Sequence, residues 1–260
     1  MSLLDPAERT ARGTELQAEL TGVPATEPAT LVQASWRDYI YAEVWARPAL
    51  DLRSRFLISM GSAAGVNDSA ATERYVQGAL STGKLTLLEL REAALHTAVY
   101  AGWSYGDVLD AAVTRVATKM GLAPADYAPI RAAPWDPKIR HEEGIASFKH
   151  NMLFGGPPPQ TAYFEGGILN FVFGEMWSRP ALDQRARRWL TLVGVGNSSS
   201  STPIRSHVWS AMASGNASRE EMLEFVLQYA IHAGWPRASV MQSAVLEQAP
   251  RAEQGLPFQP

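Results

Sequence analysis

Two pairs of side chains in this sequence are spaced to act together. His96 and Tyr100 stand four residues apart, as do Gln228 and His232, so on a helix each pair stacks on one face. A fifth polar candidate, His207, can exchange a proton near neutral pH, which suits acid–base work. The bland alternatives are a polar pair satisfied inside a helix interface and a histidine half-buried against a backbone carbonyl. Glu43 and Glu175 each precede a tryptophan (Trp45, Trp177) by two residues, and apolar surroundings would raise the pKa of either carboxylate into a useful range. Arg53, Arg55, Arg185 and Arg187 follow closely. Arginines in the first turn of a helix oppose its dipole and need partners. An ion pair with Glu43 or Glu175 is one expectation, and a guanidinium fork for a substrate carboxylate, from Arg55 or Arg187, is the other. Trp45, Trp103, Trp177 and Trp235 are expected in the core or as pocket walls.

Several chemistries are excluded or unsupported. With no cysteine there are no thiolate nucleophiles, disulfides or thiolate metal sites. His141 and His150 lie on a charged stretch and read as solvated. No His-x-x-x-His with a third ligand suggests a metal site, and no Gly-x-Ser-x-Gly elbow suggests a lactone hydrolase. Gly61 and Gly65 are a weak pair in the wrong context for a phosphate loop.

The elements that must position these residues occur twice. Residues 43–55 and 175–187 share nine of thirteen identities at an offset of 132. The same offset pairs Gly83 with Gly215, Glu89 with Glu221, and Ala101-Gly102-Trp103 with Ala233-Gly234-Trp235. The chain therefore reads as a tandem duplication. A position that differs between the copies is a candidate for specialised chemistry. Tyr75 stands opposite His207, and Gln228 with His232 opposite His96 with Tyr100, so the halves are not chemically equivalent.

Two units of roughly 130 residues suit a 260-residue chain. Residues 1–34 read as a leading helix and linker, 35–130 as the first repeat, and 131–260 as the second with its own leading helix and a surface tail after Ala249. A hydrophobic content of 46% with 19% charged residues describes a globular chain. A net charge of -3 with no basic stretch gives no case for nucleic acid. No run of about 20 apolar residues would span a membrane, and a soluble, cytoplasmic protein is expected.

No alternating segment of useful length appears, so both repeats are expected to be all-α. Helices are predicted over residues 5–20, from Ser35 to Trp45, from Asp51 to a Gly-rich break at Gly61 and Gly65, and onward to Gly83. Thr86 with Glu89, and Ser218 with Glu221, have the form of capping boxes. The helices they start run to Ala-Gly-Trp, and final helices follow from about Tyr105 and Pro236. Irregular stretches are expected at Pro124–Pro137, around a helix near Lys138–Asn151, and at residues 155–159.

The ordered set Glu43 to Arg55, Gly83 to Glu89 and His96 to Trp103, with its second appearance, resembles the carboxymuconolactone decarboxylase family and its AhpD-like relatives. The resemblance implies two helical repeats related by a pseudo-two-fold axis, in a homo-oligomer, with a trimer of six repeats favoured. The peroxidase branch places Cys-x-x-Cys ahead of a histidine. Aligned on His207, those slots hold Ser200 and Pro203, and in the first copy Asp68 and Ala71, so thiol peroxidase chemistry is excluded. The decarboxylase branch implies a cofactor-free, metal-free lyase acting on a small cyclic carboxylate or lactone. Its pattern places a histidine at His207, two turns before the glycine. The expected catalytic residues are His207, Glu175, Glu43, His96 and His232, with Arg187, Arg55, Tyr75, Tyr100 and Trp177 binding substrate. A non-catalytic binding or assembly protein on the same scaffold, and a dehydratase, cyclase or isomerase of a larger metabolite, stay open.

Overall fold

The structure, a computed structural model, describes residues 4–131, 136–156 and 161–259. Pro134 of the expected joint and Pro157 to Pro159 of the second irregular stretch lie outside these. Every regular element among the described residues is helical. Helix α1 (Pro6–Thr21) starts where Asp5 accepts a hydrogen bond from the Ala7 amide, with Pro6 in the first turn, where its missing N–H costs nothing. The short α2 (Leu31–Ser35) runs directly into a π-helical segment, Trp36–Trp45. Then come α3 (Leu52–Ala64), α4 (Ser69–Ser81), α5 (Leu87–Ala101) and α6 (Trp103–Lys119). The succession recurs as α7 (Pro137–Met152), a π-helical segment at Tyr163–Phe173, a short 3-10 turn at Met176–Ser178, α8 (Gln184–Ser198), α9 (Ser201–Ala213), α10 (Arg219–Ala233) and α11 (Trp235–Glu253).

The same local signals start the matching helices. Asp51 and Asp183 accept from the amides of Ser54 and Ala186 to cap α3 and α8. Both capping boxes form, at Thr86 with Glu89 and at Ser218 with Glu221. Gly83 and Gly215 leave their helices at φ of +65° and +74°, a region open to glycine. The leading helices dock alike. A methyl group at Gly13 would lie 2.0 Å from the Arg37 carbonyl oxygen, and one at Gly144 2.0 Å from that of Leu169. Only glycine lets these helices approach the π-helical segments so closely.

Some sequence expectations are revised. Gly61 does not break α3. It sits inside the helix, where an added Cβ would meet Leu190 of α8 at 3.3 Å, so it permits close helix packing. The last helix of each half starts at Trp103 and Trp235, ahead of Tyr105 and Pro236. Those two tryptophans are surface residues, 57% and 54% exposed, not core. The tail after Ala249 lies at the surface as expected, but it is ordered: α11 continues to Glu253, the Trp209 indole N–H donates to the Leu256 carbonyl at 3.1 Å, and Phe258 stacks on Phe154.

Helices α3 and α8 form the centre, each buried along almost its whole length. They pack on each other, and each packs on the capped helix of the opposite half, α3 on α10 and α8 on α5. One buried apolar cluster therefore runs through both halves. A smaller one, built on Phe148, Met152, Leu169, Phe173 and Trp177, lies under α7.

Candidate active site between the two halves

Arginines on α3 and α8 lock the halves together through carboxylates on the other half. Arg55 donates to Glu224 at 3.1 Å and Arg187 lies 3.6 Å from Glu92. Arg47 pairs with Glu224, and Arg179 grips Glu92 with two nitrogens at 2.7–3.0 Å. At the rim, Arg53 reaches Glu89 and Asp183 while Arg185 reaches Glu221 and Asp51. Every one of these contacts has a counterpart at an offset of 132 residues on both partners. This corrects the expected pairing of the arginines with Glu43 and Glu175. Arg55 and Arg187 spend their remaining donors on backbone: Arg55 on Leu50 and Arg47, Arg187 on Leu182 and Arg179. So engaged, neither is placed to grip a substrate.

Beside each lock lies a polar cluster that draws on both halves. In the first, Gln228 of α10 accepts from Arg55 at 2.6 Å and donates to Ser59 at 2.8 Å. In the second, His96 of α5 faces Arg187 through Nδ1 at 3.5 Å and meets Thr191 through Nε2 at 2.8 Å. Because arginine only donates, His96 Nδ1 is the acceptor and Nε2–H the donor. Histidine and glutamine thus perform the same acceptor–donor relay. With both ring nitrogens engaged, His96 is a positioning residue in this arrangement, not a free base. Burial, followed by the charge of Arg187, pushes its pKa well below the usual value, so it stays neutral.

One turn on, the clusters exchange residue types. Tyr75 of α4 and His232 of α10 are bonded, Oη to Nε2, at 2.9 Å, and Trp36 and Trp45 cover them. In the second cluster the histidine comes from α9 and the tyrosine from α5: His207 meets Tyr100 edge-on at 5.5 Å. The Tyr100 hydroxyl accepts from the Trp177 indole N–H at 2.8 Å, and His96 stacks on the same tyrosine. His207 is buried and its Nδ1 has no hydrogen-bond partner. Burial, with Arg188 next, brings its pKa down to about 3. It is a neutral imidazole at physiological pH, not the near-neutral titrating group that histidine ordinarily is. Burial holds Tyr100 protonated up to about 12.

The residue that sequence reasoning missed is Arg188. Its guanidinium is fully buried, 4.8 Å over the Trp177 ring. It donates to the Asn151 carbonyl and to Asn216, while Nη1 has no partner. Among the described residues no carboxylate lies within ion-pairing distance of it. At the matching slot of the first half stands Phe56, packed on Trp45 at 5.3 Å. That difference between copies is the signal the sequence carries, beside an arginine, Arg187, that both copies keep.

The structure does not bring Glu43 or Glu175 to either cluster. Glu43 faces Arg9 at 3.6 Å near the surface. Glu175 is buried in a clamp of Arg140 at 2.9 Å, Arg179 at 3.1 Å and the Arg131 amide. These partners commit it to structural work. A cleft of about 430 Å³ opens beside the second cluster, lined by Ser147, His150, Asn151, Trp177 and Gln184. Trp177 and Asn151 both touch Arg188, so they stand between the cleft and the buried cation. Among the described residues no group of three or more His, Asp or Glu side chains is placed to hold a metal ion. No helix among them is long and apolar enough to cross a membrane.

Comparison with known proteins adds a family match and one similar protein. Residues 30–126 match the carboxymuconolactone decarboxylase family. A nitrosuccinic acid decarboxylase of Metarhizium robertsii is 37% identical over 79 residues, which make up 30% of this chain and 52% of that protein. The chain thus spans about half the length of the curated relative it matches.

Proposed function

We propose that this chain is a cofactor-independent carbon–carbon lyase that decarboxylates a small carboxylic acid or lactone at the second cluster. The observation that supports this most is the meeting of Tyr100, from one half, with His207 and Trp177, from the other, beside a buried cation. The substrate's carboxylate would leave as carbon dioxide, its bonding pair passing to an electron-withdrawing group of the substrate itself. A proton must then reach the carbon. Tyr100, which stays protonated, is the donor, and it regains its proton from solvent. Neutral His207 orients the acid and relays that proton. In the first cluster Tyr75 and His232 satisfy each other, so one working site per chain is part of this reading.

The name of the relative supports nitrosuccinic acid as the first substrate to try, with carbon dioxide release as the readout. Tyr100→Phe and His207→Ala are each expected to lower turnover by roughly 10²–10⁴-fold while the helical signal is kept. Unchanged rates in both would end this assignment. The deep burial of His207, 8% exposed, favours a second reading, a non-catalytic ligand-binding protein on the same scaffold. Ligand-induced stabilisation without any turnover would select it. The exposed Trp103 and Trp235 offer apolar surface for the trimer that the resemblance implies, and light scattering near three times 28.3 kDa would support it.

A further inference from the structure

We infer that Arg188 is the carboxylate anchor of this site and that each chain consequently takes one small carboxylate ligand, not two. For what happens after binding, the inference rests on the lyase reading above; the anchoring itself stands on the arginine. A buried guanidinium without a counter-anion is costly to keep, because burial strips its hydration and a ring face with two neutral acceptors returns only part of it. Here that cost serves no visible packing need. The matching slot of the first half accepts a phenyl ring, Phe56, against the equivalent tryptophan. The fold itself shows that an apolar side chain fits.

The donors of Arg188 are partly spent and partly waiting. Nε holds Asn216 at 3.2 Å and Nη2 holds the Asn151 carbonyl, while Nη1 is unpartnered. His207, close enough for the arginine's charge to affect its titration, also has an unpartnered nitrogen, Nδ1. Nη1 is a donor, and Nδ1 is one in the tautomer that carries its proton there; a carboxylate takes up both. Trp177 beneath the guanidinium fixes its plane. Asn151 and Trp177, which touch Arg188, also line the cleft of about 430 Å³, the side from which a small ligand would enter by displacing them.

The chemistry also says which carboxylate is anchored. A cation on the departing group would hold the ground state more tightly than the transition state, where that charge is moving into the carbon framework. The anchored carboxylate is therefore the one the product retains.

Succinate, a small dicarboxylate without an activating group, is the probe, and titration calorimetry on the full chain is the measurement. The wild-type protein is expected to bind one succinate per chain. Arg188→Phe, which copies the residue at slot 56, is expected to weaken binding about tenfold or more. Arg188→Lys, which keeps the charge but loses the fork, should retain part of the affinity and serves if the phenylalanine variant does not fold. Affinity that survives both substitutions, two succinates per chain, or no binding by the wild type would each overturn the inference. Succinate binding that depends on Arg188, without carbon dioxide release from any acid tried, would instead sink the lyase reading and leave the anchor.

Discussion

At slot 96 a neutral imidazole, and at slot 228 a carboxamide, each accept from a buried arginine and donate to a hydroxyl. His96→Gln should therefore keep the fold within about 1 kcal/mol, whereas His96→Leu strands the Arg187 and Thr191 partners and should cost about 1–3 kcal/mol in denaturant unfolding. The buried histidines also set an acid limit. Burial lowers the folded-state pKa of His207 to about 3 and of His232 to about 4, and pushes that of His96 well down. In the unfolded chain each titrates near 6.5. Below that value the unfolded state takes up protons that the native state refuses, so stability is fully present above about pH 6.5 and falls as the pH drops. Denaturation midpoints should be lower at pH 5 than at pH 7, and His207→Gln should remove up to about 1.4 kcal/mol per pH unit of that slope. Equal midpoints would refute the neutral buried state. Comparison of the two copies made the exchanged tyrosines and histidines legible in the sequence, because they sit at matched spacings. For Arg188 only the mismatch with Phe56 was legible; its burial and lack of a counter-anion were not, since they depend on which helices pack around it.

Helix starts were the most readable elements, because a cap is a local interaction between residues three apart. Thr86 with Glu89 and Ser218 with Glu221 close as expected, and Thr86→Ala should cost about 1 kcal/mol by thermal unfolding. The π-helical winding at Trp36–Trp45 and Tyr163–Phe173 was not readable, since a wider coil leaves much the same run of apolar residues as an ordinary helix. Nor was the role of Gly61, where a residue that usually interrupts helices instead lets two of them touch. Gly144→Ala is the sharper test of such contacts. Its methyl group would meet the Leu169 carbonyl at 2.0 Å, so α7 must shift, at a cost of about 1–3 kcal/mol. Because α7 supplies Asn151 to Arg188, succinate affinity should change with it. A variant as stable as the wild type would show that α7 docks less closely than described.

Across the whole molecule the halves are joined less by the linker than by crossed arginine–glutamate pairs over a common core. The pattern Arg-Pro-Ala-Leu-Asp-x-Arg-x-Arg was visible in the sequence. Its partners were not, because Glu92 and Glu224 lie far along the chain from the arginines they meet. Removing one member of a buried pair leaves the other charge uncompensated, so Glu92→Gln should destabilise the chain by about 3–5 kcal/mol. Glu224→Gln should act similarly but less, since Arg47 is more exposed than Arg179. A midpoint unchanged by Glu92→Gln would show that the lock contributes no stability.

The presence of Phe56 and Arg188 at corresponding positions has a genetic consequence. In an assembly of identical single modules, any codon change is copied into every cavity at once, so a costly cation must be tolerated everywhere or nowhere. Where one chain carries both slots, each codon varies on its own, and one slot can specialise while the other serves as a brace.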